Sequence, residues 1–308
     1  MGQFSDILKG KTHAQMRMSG AIWRWRLREE LPSGEALVVF AIPLVSRARA
    51  TDWVVVSANL ARTIASLRAQ TSDRWVAFVC GQDEPEGVEF DEQVGFVPYR
   101  GRTKFYDKGD KRVALIGHTL RRLAGRDGYY AQWDADDLLH PGAVAHVLGD
   151  NNGRGYLVET GIMADLSAGR FAWLAPPTPE RETRVFWRVC GSCSFVRFDF
   201  RTQPRHWKKL LSRLSSHLRI SAWMERFGLP LDPFPFPAAI YTFSHGENMS
   251  SRRGRTERRN AYIDAFPLSE SEREAVAEAF NLSPDGSIRS SAELASEPAP
   301  SGTGDGAG

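Results

Sequence analysis

The sequence predicts an α/β fold with a mainly parallel central sheet flanked by helices. Two observations carry that reading. Apolar, β-branched runs of strand length recur along the first 150 residues, and between them apolar positions repeat every three or four residues, the period of a helix lying on a sheet. Strands that alternate with helices imply parallel pairing through right-handed crossovers. A sheet of that kind takes its ligand outside the carboxyl ends of its strands.

The run Ala36 to Ile42 (ALVVFAI) suits a buried parallel strand, and Pro43 stops it. Trp53, Val56, Leu60, Ile64 and Leu67 then mark a crossover helix. Trp75 to Cys80 (WVAFVC) is a second strand, ended by Gly81 and an acidic loop, and Val94 to Val97 a short third. Val113, Ile116, Leu120 and Leu123 mark the next helix, which Gly128 breaks before the strand YYAQW at 129 to 133.

Beyond Asp150 the pattern is less regular. Strands are expected near Tyr156 to Thr160 and Ser194 to Phe198, and helices near Trp207 to Leu218 and Ile220 to Phe227. A final helix over Ser269 to Asn281 opens with Ser269 and Glu272 in capping-box spacing. After Pro284 the chain is rich in Ser, Gly, Ala, Pro and Glu, too polar to offset the entropy of ordering, and is expected to be disordered. The organisation is thus a basic, aromatic helical extension at 1–34, one α/β domain at 35–265, a helix at 266–283 and a tail at 284–308.

Forty basic side chains against 37 acidic ones leave a net charge of +3, which predicts no nucleic-acid-coating surface, so any electrostatic role is local. Cys80, Cys190 and Cys193 are too few for a disulfide framework. They favour a reducing, cytoplasmic setting, and CGSC at 190 to 193 lacks the second ligand pair of a zinc site. No run reaches the roughly 20 apolar residues that span a bilayer. Residues 9–31 combine Trp23 and Trp25 with Lys9, Lys11, Arg17, Arg24, Arg26 and Arg28. Two readings stand there: peripheral contact with an inner membrane face, or a helix packing its aromatic side on the domain.

The strongest chemical signal is WDADDLLHPGA, Trp133 to Ala143, where three carboxylates follow directly on an apolar strand. Hard divalent cations such as Mn²⁺ or Mg²⁺ take oxygen ligands. Asp134 and Asp136, two apart, can bring two carboxylates onto one metal, which would neutralise a diphosphate. The alternative is an acidic turn capping the helix after Pro141, a role that Asp137 fits.

With these pieces in order, the chain resembles the family 2 glycosyltransferases and their GT-A relatives, over roughly residues 36 to 250. The strand ending at Pro43, the segment NLARTIASLRAQT (Asn59 to Thr71) and WVAFVC look like that family's first strand, first helix and second strand. The resemblance implies a GT-A type, Rossmann-like sandwich. It also implies a nucleotide-sugar donor held by Pro43, Ser46, Gln82 and Asp83, with Lys111 matching the family's lysine ahead of its DXD strand. Asp134 and Asp136 match the DXD pair. The pattern YTFSHGENMS, with Tyr241, His245, Asn248 and Ser250, fits the family's closing motif and implies His245 as a third metal or diphosphate ligand.

Behind His245, Ser250 to Arg259 (SSRRGRTERR) holds five arginines and one glutamate. Guanidinium groups bind phosphate oxygens bidentately, so Arg252 and Arg253, in a loop that closes over its ligand, suit a sugar diphosphate. The stretch has no interleaved aromatics for base stacking, and nucleic acid is not the expected partner.

The chain departs from the family where inverting members carry the acceptor-activating aspartate. The helix SAWMERFG is preceded by SSHLRI, with no carboxylate. His217 stands near that place and has the pKa range of a general base, with Glu225 and Asp199 as alternatives. The expected activity is metal-dependent transfer of a sugar from a nucleoside-diphosphate sugar to a hydroxyl on a glycan, polysaccharide or lipid-linked acceptor. The missing aspartate keeps open a non-catalytic GT-A-fold binding protein. A nucleotidyltransferase would need a glycine-rich loop after the first strand, where this chain has IPLVSRARATDW.

Overall fold

A computed structural model describes residues 31–102, 107–214, 216–243, 246–247 and 256–289 of the chain. Strand β1 (Leu37–Pro43) is buried at every position, as an apolar run must be when helices cover both faces of its sheet. It pairs in parallel with β2 (Trp75–Gly81) on one side and β4 (Asp127–Gln132) on the other, and β2 continues in parallel to β3 (Val94–Pro98). At Gly128 the β4 backbone lies so close to β1 that a Cβ would stand 2.0 Å from the Leu37 carbonyl oxygen.

The chain moves outward from β1 to β3 and then returns to the opposite side of β1 for β4. This reversal puts a topological switch point between β1 and β4, and their carboxyl ends define the crevice where such sheets bind ligands. The sheet is completed by β9 (Ser194–Asp199), antiparallel to β4, then β6 (Gly155–Leu157) and β10 (Asp232–Pro233), giving seven strands in the order β10-β6-β9-β4-β1-β2-β3. The mixed α/β class and the mainly parallel central sheet stand as expected.

Helix α1 (Trp53–Arg68) starts at Asp52, whose carboxylate accepts the N–H groups of Val54 and Val55. It buries all five of the predicted apolar positions, each worth about 1.5–3 kcal/mol. Helix α2 (Lys108–Arg122) keeps its predicted face in part: Ile116 and Leu123 are buried and Leu120 half-buried, but Val113 is 54% exposed, and Lys111, Leu115 and Thr119 join the buried residues. The ammonium of Lys111 finds partners beneath the helix, which hydrophobic periodicity cannot anticipate.

The second half corrects the sequence reading more. A four-stranded sheet, β5 (Leu138–Leu139), β11 (Ala239–Thr242), β7 (Gly161–Asp165) and β8 (Arg170–Leu174), packs under helix α7 (Glu270–Ala279), with Leu138, Ile162, Ala164, Ile240, Val276 and Phe280 forming its core. The capping box of Ser269 and Glu272 is formed. The stretch expected as one helix from 207 to 218 is α4 (Pro204–Leu211) followed by a 3-10 turn at His217–Arg219, leading into α5 (Ile220–Arg226). Residues 256–259, read as loop, begin helix α6 (Thr256–Ala265). Residues 284–289, assigned to the tail, turn back so that Ile288 bridges Leu282 and the Arg289 N–H reaches the Asn281 carbonyl.

A buried ion network ties β4 to β9. Arg197, 1% exposed, donates to Asp127 at 2.8 Å and to Asp199 at 3.1 Å, and Arg201 donates to Asp199 at 2.5 Å. The Ser33 N–H also donates to Asp127, fastening the chain ahead of β1. Among the described residues no helix is long and apolar enough to cross a membrane. Of the stretch 9–31 proposed for peripheral contact, all but Leu31 lies outside the described residues.

Candidate active site

The acidic turn is the link between the two sheets. Trp133 ends the β4 side, wholly buried against Phe40 and Phe195, and its indole N–H donates to the Asp137 carbonyl at 3.1 Å; β5 begins at Leu138. Four residues therefore turn the chain from one sheet to the other, right at the switch point. The carboxylates of Asp134, Asp136 and Asp137 each bring an oxygen within 4.8 Å of the others, and this cluster can hold a metal ion.

The three are not equivalent. Asp137 is 1% exposed, and both its oxygens are engaged: Oδ2 by the Ser192 hydroxyl at 2.6 Å and the Cys190 thiol at 3.0 Å, Oδ1 by the Thr242 N–H at 3.2 Å. Burial, then the charges of Asp136 and Asp134, push its pKa well above the usual carboxylate range. It does not cap α3 (Ala143–Asp150): the Gly142 N–H donates to His140 at 3.0 Å and the Val144 N–H to Gln70 at 3.0 Å. Asp137 is the anchor of the turn, and Asp134 and Asp136 are only half-buried.

Asp134 is buried enough to raise its pKa, yet Lys108 at 2.6 Å and Arg112 at 3.9 Å outweigh burial and hold it below the ordinary 3.8. Its backbone N–H donates to Ser192 at 2.8 Å. Thr242 donates its hydroxyl to the Asp136 carbonyl, so β11 braces the turn from the second sheet. This donor set suits a hard divalent cation at Asp134 and Asp136, provided that the half-exposed Lys108 ammonium swings off Asp134.

The loops after β1 and β2 meet beside the turn. Asp83 accepts the Arg47 N–H at 2.8 Å, and Ser46, 2% exposed, heads the 3-10 turn Arg47–Arg49, while Pro43 closes β1 beside Cys80. Lys111 requires a correction. Expected to contact the donor, it is 1% exposed, with its ammonium 2.5 Å from the Leu44 carbonyl and 3.1 Å from Asp107. Gln82 donates to the same Asp107 at 2.7 Å. Lys111 is thus a strut beneath the crevice, holding the loop after β1 to the start of α2.

His217 sits in its 3-10 turn with Nδ1 2.7 Å from the Trp187 carbonyl oxygen. Burial lowers its pKa below 6.5, the Trp187 bond and Asp134 opposing, and Lys108 and Arg112 adding to the fall. It therefore lies within electrostatic reach of the acidic turn. The alternatives are not placed for that role: Asp199 is locked in the Arg197 network beside Asp127, at the amino end of β4, and Glu225 is exposed on α5. His245, Arg252 and Arg253 lie outside the described residues.

Sequence reading missed Ser192 and the partnership of Cys190 with Asp137. All three cysteines are buried, and burial raises Cys80 to about 11 and Cys193 to about 12, as inert packing thiols require. Neither protein-family models nor curated proteins match this chain.

Proposed function

We propose that this chain is a metal-dependent glycosyltransferase of GT-A type, moving a sugar from a nucleoside-diphosphate sugar to a hydroxyl acceptor in glycan or polysaccharide synthesis. One observation carries the proposal: Asp134 and Asp136 leave the carboxyl end of β4 at the switch point, beside the joined loops that follow β1 and β2. A divalent cation, when bound there, supplies positive charge to the departing diphosphate, worth several kcal/mol of barrier in a closed site.

The chain's own residues do the rest. Asp83, held by the Arg47 N–H, stands on the nucleoside side of the crevice, while Asp137, Ser192 and Thr242 keep the acidic turn from relaxing. A carbonyl oxygen only accepts, so the neutral His217 ring carries its proton on Nδ1, toward Trp187, and leaves the lone pair on Nε2. Its lowered pKa keeps that ring neutral at pH 7. His217 can then take the proton of an acceptor hydroxyl as general base.

A non-catalytic binding protein of the same fold is the second reading, favoured by the Lys108–Asp134 ion pair, which already neutralises one carboxylate. Calorimetric titration of UDP, GDP and their sugar conjugates, with and without Mn²⁺, separates the two. The transferase reading expects metal-dependent binding of one nucleotide that disappears in Asp136→Ala, followed by turnover of its sugar conjugate. Binding that ignores both metal and substitution would favour the second reading.

A further inference from the structure

We infer that a second, arginine-lined cleft next to the acidic turn binds a phosphate group carried by the acceptor. The cleft encloses about 800 Å³ and is bounded by residues from 159 to 189, by Leu218 and by α6. The loops after β1 and β2, which face the donor side, contribute nothing to it. It is therefore a separate subsite, and its assignment to the acceptor rests on the transferase reading above.

Four guanidinium groups line this space, from Arg184, Arg188, Arg258 and Arg259, against one carboxylate, Glu159. That is a concentrated positive wall in a chain whose total charge is only +3. Among the described residues, no ion pair joins any of the four arginines to a carboxylate. Three of them lie over aromatic rings: Arg184 5.7 Å from Tyr262, Arg188 5.0 Å from Trp187 and Arg259 5.1 Å from Tyr241. Stacking engages the face of a guanidinium and leaves N–H groups at its edge for an oxyanion; Arg259 also donates from Nη2 to the Val189 carbonyl at 3.5 Å, which fixes it on the wall.

Neighbouring residues tie the cleft to the acidic turn. Val189 on its wall precedes Cys190, whose thiol bonds Asp137, and Tyr241 beneath Arg259 precedes Thr242, which braces Asp136. His217 bonds Trp187, a wall residue, and its neighbour Leu218 lies in the lining. A phosphate seated on the arginines would leave the rest of the acceptor to extend past Trp187 toward His217 and the metal. A phosphorylated sugar and a polyprenyl phosphate both present this group.

The test uses the full chain without nucleotide or metal, titrated with glucose 6-phosphate and, separately, with phosphatidylcholine vesicles with or without a polyprenyl phosphate. Wild type should bind at least one probe, and the arm that binds identifies a soluble or a lipid source. The double variant Arg184→Gln/Arg258→Gln, both residues exposed on the surface, should weaken that binding by at least about tenfold, roughly 1.4 kcal/mol, while Mn²⁺-dependent nucleotide affinity stays unchanged. No binding of either probe, or equal binding by the variant, overturns the inference. Phosphate binding in a protein with no nucleotide affinity upholds the cleft as an oxyanion site while refuting the transferase reading, so the two failures are distinct.

Discussion

The Ser192 hydroxyl donates to Asp137 at 2.6 Å and accepts the Asp134 N–H at 2.8 Å, so one side chain clamps both ends of the acidic turn. The serine comes from the strand-entry loop before β9, 55 residues away in sequence from Asp137. Its removal leaves a buried carboxylate and a buried N–H each short of a partner. Ser192→Ala should cost about 1–3 kcal/mol in urea denaturation and weaken Mn²⁺ binding along with it. A stable variant with unchanged metal affinity would show that the turn holds its shape without the clamp.

Self-repulsion among Asp134, Asp136 and Asp137 is relieved by a cation, so Mn²⁺ should stabilise the folded chain. At a concentration 100 times its Kd the gain is about 2.7 kcal/mol, a rise of several degrees in Tm. Asp136→Ala should abolish the shift. An equal shift in both proteins would place the ion elsewhere.

His217→Gln removes the lone pair on Nε2 without changing donor contacts. The kcat should fall by about 10²–10⁴-fold, with donor affinity by calorimetry unchanged. A kcat within a factor of two of wild type would leave the acceptor's proton to another group, with Glu159 in the arginine-lined cleft the next residue to test.

Acid should destabilise the protein from about pH 6.5 downward. His140 packs against Phe236 and Phe280, its Nδ1 accepts the Gly142 N–H at 3.0 Å, and burial lowers its pKa below 6.5. As pH falls through 6.5 the unfolded chain takes up the proton first, so stability is lost until the lower folded value is passed. His118 and His217 are shifted downward, chiefly by burial, and add with the same sign. A Tm series against pH should show a shallower decline for His140→Asn, which keeps an acceptor but does not titrate; parallel curves would refute the assignment.

Replacing Arg197 with alanine strands Asp127 and Asp199 in the interior. The expected loss is about 3–5 kcal/mol, readable by thermal or urea unfolding. A loss under 1 kcal/mol would mean that Arg201 and Ser33 satisfy the two carboxylates unaided.

The amino-acid order by itself determined the parallel half of the sheet. ALVVFAI and WVAFVC suit buried strands by their length and β-branched content, the spacing from Trp53 to Leu67 suits a helix with one apolar face on them, and the carboxylates after YYAQW then fall at a strand's carboxyl end. These are local signals of period and length. Only the tertiary structure decided what each carboxylate does. Asp134, Asp136 and Asp137 are one residue type in one short run, and their difference comes from Lys108, Ser192, Cys190 and Thr242, delivered from α2, the loop before β9 and β11. The same holds for Lys111, drawn inside by Asp107 and the Leu44 carbonyl, and for the two- to five-residue strands of the second sheet, too short to leave a period. Electrostatic environment and long-range pairing depend on distance in space, which no window along the chain contains.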